Sequence, residues 1–370
     1  MSVKVLIVSS YPGFEKSVDP EAEMVLRLKE SGVAVDVMTE EGTRYARLFR
    51  ESGMKIFDIQ NVPIRKYSKQ VIQYIRATLK EGKYDVVHVF NNRLVRNAAA
   101  AVRGLDVQLI TYRGFAGHVH WYKPTSYLGH LNPRVKKITC VSDGVRNQVR
   151  RQLFFNKQKA VTVYKGHDPQ WYREIKPFSK EEIGFCKDQY VVGCVANARP
   201  MKGIPYLLDA MKYLKDEPDI HLALIGKNMD TSRHMKLIRQ LPNAENVHLL
   251  GYQDEVTRFY PAFDVSILTS VRGEGLSKVL IEAMSMGTPV IGTQIPGNDE
   301  LILPNQTGIL IPPRSSRDIA QSIREMKNNP GNAMRLGENA KNHIEENFRI
   351  DDTVKQMKEI YESVALPVTA

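Results

Sequence analysis

The sequence predicts an α/β protein made of two doubly wound, Rossmann-like domains. Three observations carry this. Short, near-continuous Val/Ile/Leu runs alternate with helical patterns, as in parallel sheets covered on both faces. The alternation starts afresh in the second half, with no short repeat. The 370 residues suffice for two domains of ordinary size. Ligands of such sheets sit at the carboxyl ends of the strands, so two in tandem are expected to face each other across a cleft.

In the first half, "VKVLIVSS" (3–10) is a buried strand. "PEAEMVLRLKESG" (20–32) follows with Pro20 at a helix start, Met24, Val25 and Leu28 at helical spacing, and Gly32 at the end. "VAVDVMT" (33–39), "YDVVHVF" (84–90), "VQLITYR" (107–113) and "KITCVS" (137–142) are further strands. In the second half, "YVVGCVA" (190–196), "HLALIG" (221–226), "VHLLG" (247–251), "VSILTS" (265–270) and "PVIGT" (289–293) are strands. Helices are expected at 204–216, 230–241 and 254–263, and in "SKVLIEAMSMG" (277–287). The two domains join near "YKGHDPQWYREIKPF" (164–178). The expected bounds are 1–168, 169–347 and, for the tail, 348–370. In that tail Val354, Met357, Ile360, Tyr361 and Val364 recur at helical spacing, so one face must be buried.

Apolar residues make up 42% and charged residues 25%, a soluble globular composition. No apolar run approaches the roughly 18 residues of a membrane span. The opening run is too short for a signal peptide. Cys140, Cys186 and Cys194 are scattered and odd in number, which implies neither a metal site nor a disulfide framework. We expect packed thiols in a reduced, cytoplasmic protein. The net charge of +11 is lopsided. Residues 1–170 hold 28 Lys and Arg against 15 Asp and Glu, a balance of +13; residues 171–370 hold 24 against 26, a balance of −2. The first half is thus expected to meet something anionic. Two of its segments are rich in Lys and Arg: 63–83, whose Ile64, Val71, Ile72, Ile75 and Leu79 form an apolar stripe, and 134–155. No nucleic-acid motif accompanies the charge, so nucleic acid is not an expected partner.

Two motifs carry chemistry. The strand 190–196 runs into "NARPMKG", which places Arg199 and Lys202 on a strand-to-helix loop, where free N–H groups and the helix dipole already favour anions. Gly203 lets the backbone approach. The plain reading is two solvated cations. "RGEGLSKVLIEAMSMGTP" (272–289) carries Glu274 and Glu282 eight positions apart. Ser277 is an expected N-cap, with Gly287 and Pro289 closing the helix. Glu274 then lies on the loop and Glu282 inside the helix among apolar neighbours. An ionised carboxylate there needs partners, either the paired hydroxyls of a ligand or a cation such as Arg199 or Lys202. Neither G-x-G-x-x-G after the first strand nor a G-x-x-x-x-G-K-[ST] loop occurs, which disfavours a nicotinamide dehydrogenase and a P-loop NTPase.

With these residues in view, the chain resembles family 4 retaining glycosyltransferases of the GT-B fold. The likeness rests on Glu-x7-Glu within "GEGLSKVLIEAMSMGTPVIGT", on Arg-x-x-Lys-Gly in "NARPMKG", on "VTVYKGHDPQWY" (161–172) and on "LLGYQDEVTRFYPAFDVSIL" (249–268). It covers 161–313 by motif and the first half by strand order only. The resemblance implies an acceptor-binding first domain, a nucleotide-sugar-binding second domain and a tail helix returning to the first. It implies that Arg199 and Lys202 hold the diphosphate, Glu282 the ribose hydroxyls and Glu274 the transferred sugar. It also implies that backbone at Gly275, Leu276 and Ser277 donates to phosphate or sugar oxygens, that Gly251 and Tyr252 meet the base, and that Gly13 lines the donor site. Lys278 is a further candidate anion contact, with a solvated cation as its plain reading. Where many members have a sugar-contacting His, this chain reads "TYRGFAGHVHWYKP"; His118 is the expected catalytic residue, ahead of Arg113, with His120 nearby. No metal and no cofactor are expected, since fixed cations can stabilise the leaving group and no Asp-x-Asp occurs. The expected partners are a UDP- or GDP-sugar, a saccharide or lipid-linked acceptor of cell-envelope (lipopolysaccharide-type) synthesis, and an anionic membrane surface that draws the protein to the inner face. The rival functions are a GT-B epimerase or phosphorylase, and a non-catalytic nucleotide-sugar binder.

Overall fold

The computed structural model describes residues 3–11, 18–59 and 67–365. Gly13 and residues 63–66 of the basic segment lie outside the described residues. The chain forms two compact units, dividing between Gly166 and His167 and again between Arg349 and Ile350.

The first unit holds β1 (Lys4–Val8), β2 (Ala34–Thr39), β3 (Ile56–Asp58), β4 (Val86–Val89), β5 (Gln108–Arg113), β6 (Val135–Cys140) and β7 (Ala160–Thr162). They pair in the order β3-β2-β1-β4-β5-β6-β7, all in parallel. The second unit holds β8 (Tyr190–Val195), β9 (Ile220–Ile225), β10 (Val247–Gly251), β11 (Val265–Leu268), β12 (Val290–Thr293) and β13 (Ile309–Ile311). Their order is β10-β9-β8-β11-β12-β13, again parallel. Each sheet is doubly wound, with its order reversing beside its first strand, between β1 and β4 and between β8 and β11. Every residue of β4, β9, β11 and β12 is buried, which is why these strands read as unbroken apolar runs.

Two helix expectations need correction. Residues 254–263 form two short 3₁₀ turns, Val256–Arg258 and Tyr260–Ala262, because Pro261 removes a donor and blocks a longer α-helix. The helix at 204–216 is α only over Ile204–Ala210 and tightens to 3₁₀ at Met211–Leu214. In the basic segment the helix is Lys69–Gly82, capped by Ser68. Val71, Ile75 and Leu79 are buried, so the apolar stripe faces the core. Arg76 donates to the carbonyls of Ala101 and Arg103 (2.7 and 2.6 Å) and ties its helix to the next.

The tail helix Ile350–Val364 packs along the helix Asp19–Glu30. Val354, Met357 and Tyr361 enter the same core as Met24, Val25 and Leu28. Arg27 pairs with Asp351 at 2.7 Å, and Lys358 Nζ donates to Ser31 O at 2.8 Å. At the two chain crossings His167 N donates to Phe348 O at 2.8 Å and His167 bridges Arg349. These contacts keep 167–168 and 348–349 with the second unit, two residues from the expected bounds. Cys140 and Cys194 are buried and their thiols are pushed up to about 12 by that burial. Cys186 is exposed, against the expectation that all three thiols are packed. Among the described residues no helix is long and apolar enough to cross a membrane.

Two buried histidines set a pH dependence. His88 lies between Tyr361 Oη (2.9 Å) and Thr139 Oγ1 (3.1 Å). His130 lies between Thr111 Oγ1 and Asn92 Oδ1, both at 3.0 Å. Burial pushes each down to about 3, with nearby Arg113 adding to the effect at His130. The folded state therefore keeps both neutral while the unfolded chain takes up protons below about pH 6.5. Their contribution is complete above that pH and shrinks as pH falls towards 3. By pH 5 the loss is about 2 kcal/mol for each ring. Glu21, raised chiefly by burial, acts in the opposite sense as it protonates. Urea unfolding should give a lower midpoint at pH 5 than at pH 7, and His88→Gln should flatten that slope. An unchanged slope in the variant refutes the assignment.

Candidate active site

In the second unit the order reverses between β8 and β11, and the loops leaving their carboxyl ends carry the two motifs. After β8 the chain makes a 3₁₀ turn, Pro200–Lys202, and enters the helix Ile204–Ala210 through Gly203. After β11 it runs through Glu274 to Ser277, whose hydroxyl caps the helix Lys278–Ser285 by accepting from Leu280 N. Gly287, at φ +74°, closes that helix.

The two loops are bonded together. Thr269 Oγ1 donates to Lys202 O at 3.0 Å, and Val271 N to Met201 O at 2.7 Å. Gly203 has φ +68°, and a Cβ there would sit 2.1 Å from Thr269 O. Only glycine permits this approach. Within this frame Lys202 Nζ lies 2.6 Å from Glu274 Oε1, with side chains 16% and 10% exposed. Ser270 Oγ donates to the same carboxylate oxygen. Thr293 Oγ1 donates to Ser270 O, and Asn298 Nδ2 to Thr293 O. A chain of polar groups therefore fixes Glu274 from behind. Gly297 packs against the backbone of Gly275, where a Cβ would meet Gly275 O at 2.3 Å. Leu276 is half-buried and Gly275 buried.

Arg199 is exposed at the lip of the same loop. Its position is set by backbone: Ala198 N donates to Lys227 O, and Lys227 N to Asn197 Oδ1. Lys227 Nζ stands 4.5 Å over the ring of half-exposed Tyr252, and Gly226 N donates to Gly251 O. The carboxyl ends of β8, β9, β10 and β11 thus bring Arg199, Lys202, Lys227, Tyr252 and Glu274 onto one rim. Lys227 was missed by the sequence reading; its signal is a lone cation directly after "HLALIG".

Glu282 is 7% exposed. Lys278, one turn earlier, places Nζ 3.3 Å from Glu282 Oε1, and the buried Tyr260 hydroxyl donates to Oε2 at 3.3 Å. Burial first, then the Glu282 charge, raise the Tyr260 phenol well above its ordinary value, so it remains a donor. Among the described residues the cation paired with Glu282 is Lys278, rather than Arg199 or Lys202.

In the first unit Arg113 is 3% exposed. It donates to Asn92 Oδ1, Phe115 O and Gly117 O and lies over the Phe115 ring at 4.4 Å. Its guanidinium anchors the loop after β5. His118, on that loop, is exposed in a left-handed conformation (φ +60°) with its ring edge against Phe115. His120 stacks on Tyr122. The buried His130 was not anticipated. Since Arg113 fixes the Asn92 oxygen as acceptor, His130 donates through Nε2 and accepts from Thr111.

Comparison with known proteins gives the family. The family model for "Glycosyl transferases group 1" matches residues 175–343, and that for "Glycosyltransferase Family 4" matches 22–171. The chain belongs to the family 4 glycosyltransferases. It is 28% identical over 229 residues to N-acetyl-alpha-D-glucosaminyl L-malate synthase of Bacillus anthracis, covering 61% of this chain and 59% of that protein. It is 24% identical over 372 residues to UDP-Gal:alpha-D-GlcNAc-diphosphoundecaprenol alpha-1,3-galactosyltransferase of Escherichia coli, covering 94% and 91%. Among solved structures, Anabaena HepE in complex with UDP superposes with a TM-score of 0.79 at 18% identity, covering 98% of this chain and all of that one. The glycosyltransferase has the GT-B class of fold, with two Rossmann-like units.

Proposed function

We propose that this glycosyltransferase moves a sugar, with retention, from a nucleoside-diphosphate sugar to a hydroxyl of a saccharide or lipid-linked acceptor in cell-envelope glycan synthesis. The observation that carries the reading is the Lys202–Glu274 pair on locked loops where the second sheet reverses. Strong support comes from Arg199 at the same rim. A departing nucleoside diphosphate gains negative charge as the sugar becomes oxocarbenium-like, and fixed cations stabilise that charge without a metal. Lys202 turns from Glu274 to the diphosphate, while Glu274, still held by Ser270, takes sugar hydroxyls. Glu282 accepts the ribose diol. Tyr252 and Lys227 flank the base. Two relatives favour a uridine donor and a lipid-linked acceptor: HepE is seen with UDP, and the Escherichia coli relative is named for UDP-Gal and a diphosphoundecaprenol acceptor. The protein then works at the inner membrane face.

A screen of UDP-, GDP- and ADP-sugars by hydrolysis and thermal shift tests the reading. We expect a UDP-hexose to be turned over without added metal; no turnover of any nucleotide sugar refutes it. Glu282→Ala should weaken UDP binding by about 1.5–3 kcal/mol, the worth of hydrogen bonds to a charged group. Glu274→Ala should mainly lower kcat. Calorimetry with UDP separates the two, and equal UDP affinity in Glu282→Ala and wild type removes the ribose assignment.

A further inference from the structure

We propose that the first unit docks on an anionic lipid bilayer through an aromatic wedge of Trp121, Tyr122, Phe154 and Phe155. Among the described residues ten large apolar side chains are exposed, and six of them fall within 121–155. Phe155 is 88% exposed, Phe154 63%, Tyr122 59% and Trp121 51%. Trp121, Tyr122 and Phe154 form one surface, and Phe155 follows Phe154 in the chain. The Trp121 ring lies 5.5 Å from that of Phe154 and 5.8 Å from that of Tyr122. Trp121 N donates to Gln152 Oε1 at 3.2 Å, which joins the connection after β5 to the end of the helix Asp143–Gln152. Contiguous exposed apolar surface of this kind marks an interaction site.

The charge around it selects the partner. Residues 118–160 carry nine Lys and Arg and one acid, Asp143. Asp143 is already paired with Arg146 at 2.8 Å and accepts from Thr162. Arg150 is turned inward to Ala160 O. Lys123, Arg134, Lys136, Arg151 and Lys157 remain exposed. Protein interfaces are depleted in Lys, whereas a bilayer takes Trp and Tyr at the headgroup level with basic residues beside them. Phe side chains reach the acyl boundary, and Lys and Arg stems lie along it with their charges in water. The helix Lys69–Gly82, basic by sequence, lacks this apolar half because its stripe faces the core. The docking deepens the lipid-linked reading above and rests on it for its purpose, though not for its detection.

The chain has two tryptophans, so Trp171→Phe leaves Trp121 as the reporter. Vesicles of phosphatidylcholine alone and with about 30% phosphatidylglycerol supply the neutral and anionic surfaces. Binding is expected with anionic vesicles only, with a blue shift of Trp121 emission, quenching by brominated acyl chains, and release at high salt. Phe154→Ser/Phe155→Ser should bind about tenfold more weakly or less, and should hydrolyse donor as the wild type does. Equal binding to neutral and anionic vesicles, equal binding by the double variant, or unshifted Trp121 emission overturns the proposal. So does a dimer in sedimentation velocity that the double variant dissociates while vesicles go unbound. Loss of donor hydrolysis in the wild type would sink the glycosyl-transfer reading and leave the vesicle result standing.

Discussion

Lys202→Ala should lower kcat by about 10²–10³-fold, the usual effect of removing one group that stabilises transition-state charge. Lys202 is held 2.6 Å from Glu274 by two bonded loops, so the charge is already at the site and has only to turn from Glu274 when the donor arrives. The substitution also strands a largely buried carboxylate, which destabilises the fold. The two effects separate in a cycle. Lys202→Ala/Glu274→Ala should recover the thermal midpoint lost in Lys202→Ala while activity stays low, because the double variant has no stranded charge and still no cation. Single-turnover kinetics on a UDP-sugar give the chemical step directly. A Lys202→Ala enzyme with wild-type single-turnover rate would end the leaving-group assignment.

Gly203→Ala should be the most damaging small substitution in the second unit. Its Cβ would sit 2.1 Å from Thr269 O, and the residue already has φ +68°. Left-handed backbone alone costs a side chain about 1–2 kcal/mol, and the collision must part the loops that carry Lys202 and Glu274. We expect a total loss of at least about 3 kcal/mol in urea titration, with activity lost even where the protein folds. Gly251→Ala is the matched control. It has the same φ of +68° but no atom within 4 Å of its would-be Cβ, so only the backbone term applies. Equal losses in the two variants would show that loop contact at Gly203 has no special weight.

Much of this was legible in the chain. The apolar runs of β4, β9, β11 and β12 announce buried parallel strands because both faces are covered. The N-cap Ser277 and the stop at Gly287 could be read because capping chemistry is local. β3, β7 and β13 escaped because three residues make no period. At the site, Arg199, Lys202, Glu274 and Glu282 are visible as motif residues. Their supports are not. Thr293 and Asn298 support Ser270, and through it Glu274, only by folds of the chain, and Lys227 is brought to Tyr252 by sheet order. The cation beside Glu282 was sought on another loop, although Lys278 stands four residues away on the same helix. His118 and Arg113 show the limit of sequence order: Arg113 occupies the ordinal place but is walled in by the loop it anchors.

The tail helix has a consequence for how the protein is made. Tyr361 and Met357 complete the core that β1 and β4 begin, so the first unit is interrupted in the gene by the whole of the second. A ribosome adding about 5–20 residues per second needs roughly 10–40 s to go from residue 166 to the end of that helix. Throughout that interval the second unit can mature on the nascent chain. The first waits with an open apolar groove along Met24, Val25 and Leu28, exposed to chaperones and to self-association. Fusing residue 166 directly to 350 should let the first unit close at once, and excising 167–349 should yield the second as an independent folding body.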